Sequence, residues 1–102
     1  MRVAVLCECL RDKCWVAHHF GMAPYICIYE DGKEVERIRN PFVTADRAKG
    51  RLLAEFLAQK GVQAVIGPEP QSHGASRWVS ALGMKVVAAE PRTPVEEALR
   101  LL

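Results

Sequence analysis

The sequence has no apolar run approaching the ~20 residues of a membrane-spanning helix, no excess of either charge, and no repeat or low-complexity segment. The first absence argues against a span. The opening Met1-Arg2-Val3-Ala4-Val5-Leu6 is too short and too soon polar for a signal peptide, so a cytoplasmic location is expected. Lys and Arg number 14 against 12 Asp and Glu, a formal charge of +2, which is too balanced for a dedicated nucleic-acid binder. Arg47, Lys49 and Arg51 do gather, but as alternate residues of an expected helix, which reads as a solvated face. Neither nucleic acid nor a membrane is therefore expected as a partner. Missing too are the Gly-x-Ser-x-Gly elbow, the Walker loop and the GxGxxG turn. Cys9 with His73 has the chemistry of a nucleophile and base, or Cys9 alone that of a redox thiol, but no third group orients it. No catalytic residue is assigned, and a non-enzymatic role is expected.

What remains is an ordinary globular mix of 50% hydrophobic and 25% charged residues in 102 positions. This is enough for one domain over residues 1–102 with a sizeable core. Arg2 to Leu6 reads as a strand buried on both faces. Cys7 to Pro24 loses all periodicity and reads as a long loop, of the kind that carries function. Tyr25 to Glu30 and Lys33 to Arg39 flank Asp31-Gly32, a strong hairpin signal, and the alternating charges of the second suit an edge strand. Thr44 is positioned to cap a helix from Ala45 to Lys60 ended by Gly61, with Gly50 marking either a close approach to the sheet or simply lower stability. A buried strand from Val62 to Ile66, a helix from Ser72 or Gly74 to Leu82 and a strand from Lys85 to Ala89 follow. Thr93-Pro94-Val95-Glu96 reads as a capping box opening a last helix. Strand–helix–strand units plus one hairpin predict a mixed α/β sheet of five strands with about three helices.

Ligands of an open α/β sheet collect beyond the carboxyl ends of its parallel strands. Two expected loops lie there, Cys7 to Gly21 and Gly67 to Gly74, and between them they hold all three histidines and three of the four cysteines. Imidazole and thiolate are the ligands of soft and borderline metals, so His19, His73, Cys9 and Cys14 are candidate ligands, the two cysteines of second rank. The Cys-x-Cys-x4-Cys spacing matches no zinc ribbon or ferredoxin run, and buried, incidental cysteines are the plainer alternative. Cys27, between Ile26 and Ile28, is read as a core residue. In a cytoplasm all four thiols are expected to be reduced unless the source is a hyperthermophile.

His19-Phe20-Gly21-Met22-Ala23-Pro24-Tyr25, followed by a strand and Asp-Gly, resembles the His-Phe-Gly segment of the dinitrogenase iron-molybdenum cofactor biosynthesis domain. Asn40-Pro41, Gly61-Val62, Gly67, Ala81-Leu82-Gly83-Met84-Lys85-Val86 and Thr93-Pro94-Val95-Glu96-Glu97-Ala98 fall in register with that family's landmarks across the whole chain. The resemblance implies a ribonuclease H-like fold and a short prokaryotic binding or carrier protein for an iron-molybdenum or iron-sulfur cluster. The cluster, or the proteins that donate and accept it, would be its partners. It also implies a site at His19, Phe20 and Gly21, with His73 and Gly74 opposite. Two departures stand out: Pro68-Glu69-Pro70 interrupts a usually glycine-rich turn, and relatives show small polar residues where Cys7, Cys9 and Cys14 stand. The alternative is a protein-interaction or regulatory domain of the same fold with no metal ligand, using the helix surface around Arg47 and Arg51.

Overall fold

In the computed structural model, residues 1–45, 47–68 and 74–102 are described. The elements run β1 (Arg2–Leu10), β2 (Lys13–Val16), β3 (Tyr25–Glu30), β4 (Lys33–Arg39), α1 (Lys49–Gln59), β5 (Ala64–Gly67), α2 (Gly74–Ala81), β6 (Lys85–Ala88) and α3 (Val95–Leu99). The sheet is mixed as expected, but it has six strands rather than five. Five follow the order β4-β3-β1-β5-β6, and β2 pairs with β1 off that path. β1 is central, antiparallel to β3 and parallel to β5, and β5 is parallel to β6.

The extra strand comes from the segment read as a loop. β1 runs on through Cys7-Glu8-Cys9-Leu10, turns at Arg11-Asp12 and returns as β2, pairing Cys7 with Val16, Glu8 with Trp15, Cys9 with Cys14 and Leu10 with Lys13. Arg11 sits at φ 60°, a conformation that two-residue hairpin turns normally give to glycine or asparagine. With neither present, the turn carries no recognisable signal. The Asp31-Gly32 turn does carry it, and forms as predicted with both residues at positive φ.

Strand alternation sorts the core into two layers. Ala4 and Leu6 of β1 join Ile26 and Ile28 beneath α1 and α2, with Phe20, Leu53, Leu57 and Val79. Val3, Val5 and Cys7 join Cys27, Ala64 and Ile66 on the opposite side, under Val95 and Ala98 of α3. The β4 edge is mostly exposed and charged, as a guarded edge should be.

Helix boundaries differ from expectation where side chains find other partners. α1 starts at Lys49, not Ala45, because Asn40 Oδ1 accepts the Phe42 N–H at 3.0 Å and a turn closes from Ala45 N to Phe42 O. Thr44 therefore caps nothing, and Ala48 enters the helix at φ 59°. At its other end Gly61 N donates to Ala58 O and Val62 N to Leu57 O, the paired bonds that a glycine at C′ permits. The close approach foreseen at Gly50 is to α2 rather than the sheet: a Cβ there would stand 2.7 Å from Ala75 Cα. The capping box at Thr93 does not form, since Thr93 Oγ1 donates to Glu90 O at 2.7 Å and Pro94 occupies the N-cap position. No described helix is long and apolar enough to cross a membrane.

Candidate functional site

Between β2 and β3 the chain passes through His18-His19-Phe20-Gly21. Phe20 is wholly buried, and its ring lies against Gly67 at the end of β5, where a Cβ would meet Cδ2 at 2.8 Å and Cε2 at 2.9 Å. The ring supports the loop from beneath. Gly21 faces the start of α2, its ideal Cβ position 3.7 Å from Ala75 Cβ, so the His-Phe-Gly loop and the α2 terminus at Gly74 are neighbours. Asn40 fixes the loop from the other side: buried, it donates from Nδ2 to Ala23 O at 2.9 Å, and its N–H donates to Pro24 O. In the sequence Asn40 stands out only as part of the Asn40-Pro41 landmark, because its partner Ala23 lies 17 positions away.

His18 and His19 are both exposed. Glu8 holds the first of them, its Oε2 accepting from His18 N at 3.0 Å and pairing with His18 Nδ1 at 2.9 Å, while Oε1 accepts from Trp15 Nε1 at 3.1 Å. Burial pushes the Glu8 carboxyl upward, but the bonds from the His18 ring, the His18 N–H and Trp15 outweigh it, and the group stays below the usual carboxylate range. His19 has no side-chain partner among the described residues, and His73 lies outside them.

The thiols sit elsewhere. Glu8 alternates with Cys7 and Cys9 along β1, so the carboxylate and the sulfurs project to opposite sides of the strand. The expectation of four reduced thiols is overturned: Cys9 and Cys14, directly opposed in the β1–β2 register, form a disulfide with Cα atoms 4.1 Å apart. Cys27 is a core residue, as expected, but it also faces the other two sulfurs. Its Sγ lies 4.0 Å from Cys9 Sγ and 4.0 Å from Cys14 Sγ. The hairpin that brings them together was invisible in the sequence, so the convergence was too.

Cys7 and Cys27 are free and buried. The Cys7 thiol donates to Val5 O at 3.3 Å. The neighbouring Cys27 thiol and then burial drive its pKa up, so it stays a thiol. Cys27 is the readier of the two to ionise, lowered by the neighbouring Cys7 thiol against the opposing effect of burial, with Arg37 also favouring the anion. A cavity of about 440 Å3 opens beside this cluster and is lined in part by Cys14, Trp15, Tyr29 and Arg37.

Among solved structures the chain is similar to the apo form of the orange protein from Desulfovibrio gigas, at 23% identity and a TM-score of 0.80, over 97% of this chain and 83% of that one. It is also similar to the crystal structure of PH0822, at 26% identity and a TM-score of 0.64, over 86% of this chain and 78% of that one. The first likeness establishes the fold alone. No curated protein matches. The family model described as dinitrogenase iron-molybdenum cofactor matches residues 1–102, and this chain belongs to that family.

Proposed function

We propose that this chain is a non-enzymatic binding or carrier protein for a metal cluster of the iron-molybdenum or iron-sulfur type, received at the His-Phe-Gly end of the sheet. Family membership supports the class of cargo. The observation that carries the location is His19, an exposed imidazole without a partner among the described residues, on a loop pinned by Phe20 and Asn40. A loop fixed from beneath presents its imidazole with little ordering cost on binding. His19 acts as a ligand or as a hydrogen-bond donor to cluster sulfur or oxygen, and Gly21 keeps the backbone open to close approach, facing the start of α2 at Gly74. Delivery then requires donor and acceptor proteins. The ribonuclease H-like description belongs to the same reading, supported by the antiparallel run β4-β3-β1 continuing into parallel β5 and β6.

The test is anaerobic incubation with iron, molybdate and sulfide, or with a preformed cluster, followed by metal analysis of wild type and His19→Ala. Bound metal that falls with the substitution is expected; no bound metal, or metal indifferent to His19, defeats the reading. The interaction-domain alternative draws support from Trp78 and Leu82, exposed one helical turn apart at the end of α2. It predicts unchanged metal content in His19→Ala and loss of a protein partner on Trp78→Ser.

A further inference from the structure

Three sulfurs from three strands converge on the α3 side of the sheet, away from the carboxylate that holds His18. The ligand atoms of Cys9, Cys14 and Cys27 all lie within 4.8 Å of one another. A tetrahedral thiolate site with Zn–S bonds of ~2.3 Å places its sulfurs about 3.8 Å apart. Cys27 already stands near that spacing, at 4.0 Å from each of the other two. What prevents a site is the Cys9–Cys14 bond, because metal coordination uses thiolates. These residues oppose each other on paired strands, so once the bond is cut, side-chain rotation alone separates the sulfurs and the backbone ladder is kept.

We propose that Cys9, Cys14 and Cys27 form a redox-gated site for a single thiophilic cation such as Zn2+, closed while Cys9 and Cys14 are joined and open when they are reduced. Opening consumes one dithiol. Its two sulfurs become a disulfide, two electrons cleave the Cys9–Cys14 bond, and each released sulfur takes up a proton. Binding then forms three Zn–S bonds and releases one proton from each of the three thiols, with water in the fourth position. The cavity of about 440 Å3 lined in part by Cys14 provides the approach for both reductant and ion. This site does not rest on the cargo reading, and His19 takes no part in it.

The test uses the intact protein in two states: as oxidised, and after reduction by a phosphine that is removed without air. Each is titrated with Zn2+ against a chromophoric chelator, and with Co2+, whose thiolate charge-transfer and tetrahedral d–d absorption report the donor set. One equivalent bound by the reduced protein, and binding weaker by on the order of 100-fold in the oxidised protein, is expected. Cys27→Ser should weaken Zn2+ binding by a similar factor while leaving the Cys9–Cys14 disulfide detectable by alkylation and intact mass. His19→Ala should leave binding unchanged. Equal affinity in the two redox states of the wild type overturns the proposal whatever the variants do, as does Co2+ absorption without thiolate character, or a reduced protein that has lost its circular dichroism.

Discussion

Phe20 and Gly67 offer the sharpest test of how the His-Phe-Gly loop is held. If the ring is a plug, Phe20→Ala removes one of the largest wholly buried side chains and should cost about 3–5 kcal/mol. In a domain of this size that lowers the melting temperature by roughly 15–25 °C. Gly67→Ala attacks the same contact from the other side. Its new Cβ would stand 2.8 Å and 2.9 Å from two ring carbons and 3.2 Å from Leu6 Cδ1, an overpacking worth about 1–3 kcal/mol. In the double variant the methyl enters the vacated space. Its clash with the ring disappears, leaving only the tight contact with Leu6 Cδ1, and the entropic advantage of Ala over Gly, about 0.4–1 kcal/mol, remains. The two substitutions should therefore couple by about 1–3 kcal/mol, each softening the other. Urea unfolding followed by circular dichroism on the four proteins measures the cycle. A Phe20→Ala cost under about 1 kcal/mol, or additivity within about 0.5 kcal/mol, would refute the plug.

Gly50→Ala should lower the melting temperature even though Ala is favoured over Gly in a helix by about 1 kcal/mol. The added Cβ would stand 2.7 Å from Ala75 Cα and 2.9 Å from Ala75 N, backbone atoms with little room to yield, and an unchanged or raised melting temperature would contradict the close packing of α1 on α2. Reducing the Cys9–Cys14 disulfide, whose partners are only five positions apart, should cost about 2 kcal/mol by loop-closure entropy. Urea midpoints with and without reductant, in the absence of metal, check this. For Glu8, the folded pKa is depressed, so its stabilisation is fully present above the unfolded value of about 4.3 and is lost as pH falls through the folded value. Glu8→Gln in the oxidised protein should thus cost about 1 kcal/mol at neutral pH, and the gap from wild type should close below about pH 4; a gap constant across pH would exclude the ionised carboxylate as its source.

The sequence by itself determined the α/β class, the central first strand, the β3–β4 hairpin and the glycine-terminated helices. Each rests on local chemistry: apolar runs, the two positive-φ residues Asp31 and Gly32, and Gly61 and Gly83 following their helices. The family was legible too, because its landmarks are short strings whose order survives along the chain. Sequence placed His19, Phe20 and Gly21 on one loop, but only the fold showed Phe20 beneath it and Asn40 clamping it, contacts made across long sequence separations.

The thiols were decided by tertiary structure altogether. Cys7-Glu8-Cys9 looked like loop because cysteine carries no strand signal and Arg11-Asp12 is an unmarked turn. Once β2 folds back on β1 the alternation of the strand sends Glu8 to one side and the sulfurs to the other. Cys9 then meets Cys14 through the register, and both meet Cys27 on β3, which is separated from them by 18 and 13 positions. Spacing along the chain cannot encode a site whose members are neighbours only through strand pairing.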